Sequence, residues 1–418
     1  MSIKPENFAE CVVWYPLIGT YVIYSVGGLY IVGSVLGWIL FIYLYKQLWT
    51  QSQTSSSEKR ISIPWIVWVW LGGMLVIELT IIMSHIEFDR GTSALIKASI
   101  TWARTWALIA LYLLAGSLNI RPQLLYRAAC IVCLQTLALA PVGFLIYLFK
   151  IKNPWYISPL KFIGGPSAES LFHVSFYVVS EGNQEIRWQF FAPWAPALGL
   201  IGAIYFVMSL QETDRKWRWI GITGSIFMCF ISASRIAILA LPIVFLISWL
   251  LTNFKQPLIY IILGFTSFIT ALLTPLIKTT AEDVLQAFGS YRATSTDTRN
   301  YLYRLALERW QKEAPIWGHG AITLAPRFTK GSTLLYIGTH HTWYGILYTN
   351  GIVGLLALAI PTLLSFLFLI TKIHKSEIAR VGLKLFLTLL LFSFGENLET
   401  AAYFYWPALL AIGIAFKA

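Results

Sequence analysis

Two adjacent histidines, His340 and His341, stand where a long polar stretch gives way to an apolar helix beginning near Trp343. An imidazole exchanges a proton near neutral pH, so either ring suits a general base. Metal sites usually need three or four ligands, and no His or carboxylate recurs three or four residues from this pair. Upstream lies S-T-D-T-R-N-Y-L-Y-R-L-A-L-E-R-W-Q-K-E, which predicts a helix over 298–313 with Thr296 or Asp297 as its N-cap. On that helix Arg304, Glu308 and Lys312 are four apart and can satisfy one another. Arg299, Tyr303, Ala306 and Trp310 share a different stripe. Arg299 is therefore a cation on a mostly aromatic face, available to an anionic ligand or to a ring. Arg235, in S-A-S-R-I-A-I-L-A-L, opens an apolar helix. Its guanidinium can snorkel toward headgroups or make bidentate bonds to a phosphate. Fixed cations beside a proton acceptor suit a reaction whose leaving group gains negative charge.

These residues need elements to hold them, and the composition says which kind. The chain has 418 residues, 57% hydrophobic and 12% charged, with 31 Lys and Arg against 19 Asp and Glu. A soluble domain carries about a quarter charged residues, so this is an all-α polytopic membrane protein and a single membrane domain over 1–418. Segments long enough to span lie near 12–45, 62–84, 94–118, 123–149, 190–210, 217–233, 236–252, 257–277, 342–371, 379–395 and 400–416. That predicts about eleven spans, ten to twelve allowing for the first, which is over-long and rich in glycine. Two long polar segments separate the spans: 150–189, and 278–341 with short helices of its own. The bias of Lys and Arg in the shorter loops places 46–60, 121–127, 215–218, 255 and 372–380 in the cytoplasm. The two long loops and the acidic turn Glu396–Glu399 then face outward, the amino terminus outside and the carboxyl terminus inside. Residues 278–341 hold eight basic and five acidic side chains, a net of +3, on the side where the rule disfavours cations. An anionic ligand would explain that, as would indifferent translocation of a long loop.

Other features are weaker. Lys97 and Arg104 lie seven apart on an apolar helix, facing either a cavity or a partner such as Glu78 on the preceding span. Residues His173–Phe191 alternate around Glu181-Gly182-Asn183-Gln184, the pattern of a β-hairpin with Arg187 on its second strand. Cys130 and Cys133 read as small packing residues within a span, and no disulfide framework is implied. Gly318-His319-Gly320 lacks the Gly-Lys-Ser/Thr of a nucleotide loop. Glu282-Asp283 reads as surface charge and 50–60 as a polar linker. Nothing resembles a nucleic-acid module. A transporter or flippase using Lys97, Arg104 and Glu78 is the rival class, but internal repeats expected of one are not visible. A scaffold without activity is the other.

The ordered set Ser232–Arg235, Arg299, Pro315-Ile316-Trp317-Gly318-His319-Gly320, His340 and Gly351-Ile352-Val353-Gly354-Leu355-Leu356 resembles the O-antigen ligase and polysaccharide polymerase superfamily of bacterial envelope enzymes. The resemblance covers roughly 190–360. Counting from Gly351, His340 matches the family's functional histidine, with His341 one residue away. The resemblance implies a multi-pass protein of the bacterial plasma membrane that moves glycan from an undecaprenyl-diphosphate carrier to an acceptor glycan or lipid. The reaction takes place on the outer face, without metal or cofactor. It implies that Arg235 and Arg299, with Arg187, hold the diphosphate and that His340 is the base. His341, Tyr303, Trp310 and Arg104 complete the substrate-binding candidates, with Trp343 as a further ring for sugars. Ligase, polymerase and protein O-glycosylating enzymes share these residues, and exopolysaccharide assembly is the expectation carried forward.

Overall fold

The computed structural model describes residues 3–53, 60–151, 154–164, 171–179, 186–274, 278, 293–325 and 335–418. The linker 54–59, the turn 181–184 and Glu282-Asp283 lie outside the described residues. The first helices are α1 (Phe8–Ile18), α2 (Thr20–Ser25), α3 (Leu29–Gln53), α4 (Trp65–Glu87), α5 (Thr92–Arg104), α6 (Trp106–Ala115) and α7 (Pro122–Leu148). After the short α8 (Lys161–Gly164) come α9 (Ala195–Ser209), α10 (Arg215–Ile231), α11 (Arg235–Asn253) and α12 (Pro257–Leu272). The last four are α13 (Ala293–Glu313), α14 (Thr342–Lys372), α15 (Glu377–Phe392) and α16 (Leu398–Lys417).

Among the described residues, seven segments are long and apolar enough to cross a membrane: α3, α4, α5 with α6, α7, α11, α14 and α16. Each of the eleven expected spans contains a helix, but α9, α10, α12 and α15 have only 15–17 residues. The helix α16 is the axis of the bundle. Every residue from Ala401 to Phe416 is buried, so it is apolar on all sides, as a helix surrounded by other helices must be.

The first expected span is corrected. It is not one crossing: the chain turns back at Gly27, where φ is +69°. A Cβ there would lie 2.2 Å from the Cβ of Ser158, so only glycine permits both the left-handed backbone and the approach of that loop. Helices α1 and α2 thus run toward Ser158 and α3 runs away again. The amino terminus consequently returns to the α6–α7 turn. Asn7 Nδ2 donates to the Asn119 carbonyl at 2.8 Å, and Arg121 pairs with Glu6 and, at 2.7 Å, with Glu10. Lys417 Nζ reaches the Ser117 carbonyl of the same turn at 3.2 Å. Both termini therefore share one end of the bundle, contrary to the expectation of opposite sides.

The other end carries the segments that are not membrane helices. Strand β1 (Tyr156–Ile157) pairs antiparallel with β2 (His173–Val174), and β3 (Tyr177–Val179) pairs with β4 (Ile186–Trp188), placing Arg187 opposite Val178. A third pair joins β5 (Thr323–Leu324) and β6 (Tyr336–Ile337). The helix α13 begins at Ala293, earlier than its predicted N-cap, so Asp297 lies within it. Thr and Ser cost only a few tenths of a kcal/mol in a helix interior and do not stop one.

Candidate active site

Everything at the site hangs on a clasp between two turns. Thr342, the first residue of α14, donates its N–H to the Ser393 carbonyl at 3.0 Å and its hydroxyl to the Glu396 carbonyl at 2.7 Å. The same hydroxyl accepts the Leu398 N–H at 3.0 Å. Asn397 Oδ1 accepts the His341 N–H at 3.2 Å, and its Nδ2 donates to the Gly338 carbonyl at 3.0 Å. Trp343 Nε1 donates to Ser393 Oγ at 2.8 Å. The α15–α16 turn is thereby fixed against the start of α14.

Helix α13 lies across this clasp. The Tyr303 hydroxyl donates to the His340 carbonyl at 2.9 Å, and its ring stacks on Tyr344 at 5.1 Å. One turn earlier, Arg299 Nη2 lies 3.6 Å from Glu396 Oε1. The other Glu396 oxygen accepts Trp194 Nε1 at 3.0 Å, and the Arg187 charge acts on the same carboxyl. Burial raises the proton affinity of Glu396 above the ordinary carboxylate, against the opposing pull of Arg299, Trp194 and Arg187. Ser234 caps α11 by accepting the Ala237 N–H, which makes Arg235 the first residue of the helix, and the next residue, Ile236, packs against the turn: a Cβ on Gly395 would lie 2.1 Å from Ile236 Cδ1 and 3.6 Å from Arg299 Nη1.

The two histidines differ in what they are free to do. His341 is buried and caps α14, its Nδ1 accepting the Trp343 and Tyr344 N–H groups at 3.2 and 3.4 Å. Its proton must then sit on Nε2. His340 is open to solvent and held in a left-handed backbone conformation, φ +66°. Burial and then the Arg299 charge push both imidazoles down to about 4. Water reaching His340 screens part of that effect. Both rings are neutral at pH 7.

Among the expected site residues, Arg299, Arg187, His340, His341 and Tyr303 thus gather around the Glu396 turn, with the backbone of Arg235 one residue from it. Two do not join them. Trp310 is eleven residues beyond Arg299 on α13, roughly 16 Å along the axis, and donates Nε1 to the Pro315 carbonyl at 2.9 Å. Arg104 sits on α5, its guanidinium 5.8 Å from the Tyr30 ring centroid. Glu78, its expected partner, takes a hydrogen bond from Ser99. Sequence reasoning missed Glu396, Trp194 and Asn397. A glutamate in a short turn between two apolar helices was the available signal, and it was read only for topology.

The glycine-rich motifs have a mechanical role. Helix α14 breaks at Gly351, φ +65° and ψ −165°, and the segment 315–320 docks into the break. Ile352 N–H reaches the Pro315 carbonyl at 3.0 Å, and the His319 and Gly320 N–H groups reach the Tyr348 and Thr349 carbonyls at 2.9 and 2.7 Å. His319 is tied to Glu313 at 2.9 Å and its ring stacks on Tyr348 at 4.2 Å and on Phe88 at 5.5 Å. This anchors the end of α13, and so the position of Arg299. A Cβ at Gly351 would lie 2.1 Å from the Ile316 carbonyl oxygen. Gly351→Ala should therefore cost at least ~1–3 kcal/mol of backbone strain and lower the thermal unfolding midpoint in detergent. Gly264→Ala on α12, where nothing lies within 4 Å, should leave the midpoint unchanged.

Residues 220–359 match the family model described as O-antigen ligase. Over that stretch, about a third of its length, the chain is similar to the O-antigen ligases. No curated protein sequence matches the chain significantly. The O-antigen ligase match runs from within α10 to within α14, taking in Arg235, Arg299, the 315–320 segment, both histidines and Gly351. Arg187, Trp194 and Glu396 lie outside it and reach the site through the fold. A domain of this family implies glycan transfer of the ligase or polymerase type in a membrane. Among the described residues, no three His, Cys, Asp or Glu side chains approach as metal ligands would.

Proposed function

We propose that this protein transfers glycan from a polyprenyl-diphosphate carrier, of the undecaprenyl type, to an acceptor hydroxyl at the outer face of a bacterial plasma membrane. One observation carries the reading. Arg299, Arg187 and an exposed, neutral His340 converge on one turn at the bundle end that holds the non-spanning segments. In this reaction the bond from the sugar C1 to the diphosphate oxygen breaks as the acceptor oxygen bonds to C1. The departing diphosphate gains charge, which Arg299, Arg187 and Arg235 meet with fixed guanidinium groups. The acceptor proton passes to His340. Glu396 holds Arg299 in place before the donor arrives, at a separation loose enough for a phosphate to compete.

The same geometry recasts two sugar-stacking candidates. Tyr303 positions the His340 main chain, and one face of its ring is covered by Tyr344. Trp310 supports the Pro315 turn.

The test is a transfer assay with full-length purified protein, a lipid-linked oligosaccharide donor and a chelator. Turnover should continue unchanged in the chelator. Turnover that stops and returns only with Mg²⁺ or Mn²⁺ would remove the guanidinium mechanism, and vectorial donor movement without transfer would favour a flippase.

A further inference from the structure

A second cationic site lies at the opposite end of the bundle, where both termini meet. Helix α15 carries Arg380 and Lys384, four residues apart and so on one face. Both are half-buried. Lys384 is seven residues into the helix, roughly 10 Å along its axis, where the sequence has become V-G-L-K-L-F-L-T-L-L. Its ammonium lies 4.6 Å from the Phe245 ring of α11, which meets Phe206 of α9 edge-on at 5.7 Å. Arg380 Nε donates to the Ile373 carbonyl at 3.1 Å. Neither side chain forms an ion pair among the described residues. Four acids of this end are used elsewhere: Glu212 and Asp214 by Arg127, Glu6 and Glu10 by Arg121. Glu377, three residues before Arg380, makes no ion pair among the described residues.

Like charges spaced this way on a helix repel, and a cation in the hydrocarbon region needs a partner. Beside them α11 exposes Leu246 and Trp249, an apolar surface with an interfacial indole. We propose that the surface where α11 packs against α15 binds the phosphate of an anionic phospholipid, bridged by Arg380 and Lys384, with its acyl chains along the exposed face of α11. The loop-charge asymmetry assigns this end to the cytoplasmic leaflet, whose anionic lipids favour basic pockets between helices. The site is independent of the transfer chemistry and does not rest on it.

The experiment is native mass spectrometry of the full chain released from nanodiscs of phosphatidylcholine doped with phosphatidylglycerol. Wild-type protein should retain phosphatidylglycerol in preference to phosphatidylcholine. Arg380→Gln and Lys384→Met should each lower that retention about fivefold, and the double variant about 25-fold. Lys375→Gln, an exposed cation on the neighbouring turn, should change nothing. If Lys384→Met fails to fold, Arg380→Gln alone still decides the matter. Equal retention in the variants, or no preference for the anionic lipid, overturns the proposal and leaves two snorkelling cations. Displacement of the lipid by millimolar inorganic phosphate overturns the lipid assignment in favour of a free-anion site.

Discussion

Arg299→Gln should lower glycan transfer by about 10²–10³, the effect of removing one fixed donor from a developing anion. Arg299→Lys recovers little, because an ammonium cannot present two parallel N–H groups to a phosphate. Loss of activity alone would not separate chemistry from folding, since Arg299→Gln also strips Glu396 of its counter-charge in a buried turn. The double variant Arg299→Gln/Glu396→Gln removes that orphaned charge. If Arg299 serves only to neutralise Glu396, the double variant regains activity and thermal stability together. If the guanidinium meets leaving-group charge, stability returns and transfer stays low. The measurement is turnover of a lipid-linked oligosaccharide at saturating donor, with unfolding midpoints recorded beside it. Wild-type turnover in the double variant would end the proposed role for Arg299.

The pattern of success and failure in reading the sequence has a physical cause. Apolar runs of about 20 residues announce themselves, and every helix of the bundle fell inside or beside one. Arg299 and His340 stand out in the sequence as candidates because each breaks a local rule, a cation with no helical partner and a base at the edge of an apolar run. Glu396 was not legible. Its importance comes from Trp194 and Arg299, which are 202 and 97 positions away in sequence and meet it only through packing. The hairpin formed by α1, α2 and α3 was hidden for a similar reason. Gly27 turns the chain because Ser158 needs the space, and hydropathy cannot register a contact with a loop 131 residues later. His319, by contrast, sits in a motif whose spacing only excluded a nucleotide loop, and both of its ring nitrogens are engaged, one with the Tyr348 carbonyl and one with Glu313.

The two histidines give the second large effect, and a way of telling them apart. His340→Ala should lower kcat by about 10²–10⁴, the usual contribution of a general base. His341→Asn, which keeps a side-chain acceptor at the head of α14, leaves most of kcat intact, because Asn is among the best N-caps. His341→Ala loses the cap and costs ~1 kcal/mol of stability with a smaller loss of turnover. The pH dependence follows from the environment of the rings. Both are pushed down by burial first and Arg299 second, His341 to about 4 and His340 less far because water reaches it, so the neutral base persists below the ordinary histidine range. The acid limb of kcat/KM, which reports the free enzyme, should therefore lie below the 6.5 of an ordinary imidazole. In the donor complex an anionic diphosphate beside Arg299 offsets the positive field, so the limb of kcat should move upward. Stability runs in the matching direction. The folded state resists protonating His341 while the unfolded chain does not, so stability is full above about pH 6.5 and declines as pH falls toward 4. In Arg299→Gln the residual kcat/KM limb shifts to higher pH, since one of the two causes is gone. A wild-type kcat/KM limb at 6.5 that Arg299→Gln leaves in place would mean that the titrating base does not feel this guanidinium. A His341→Asn enzyme as inactive as His340→Ala would hand the proton to the capping ring instead.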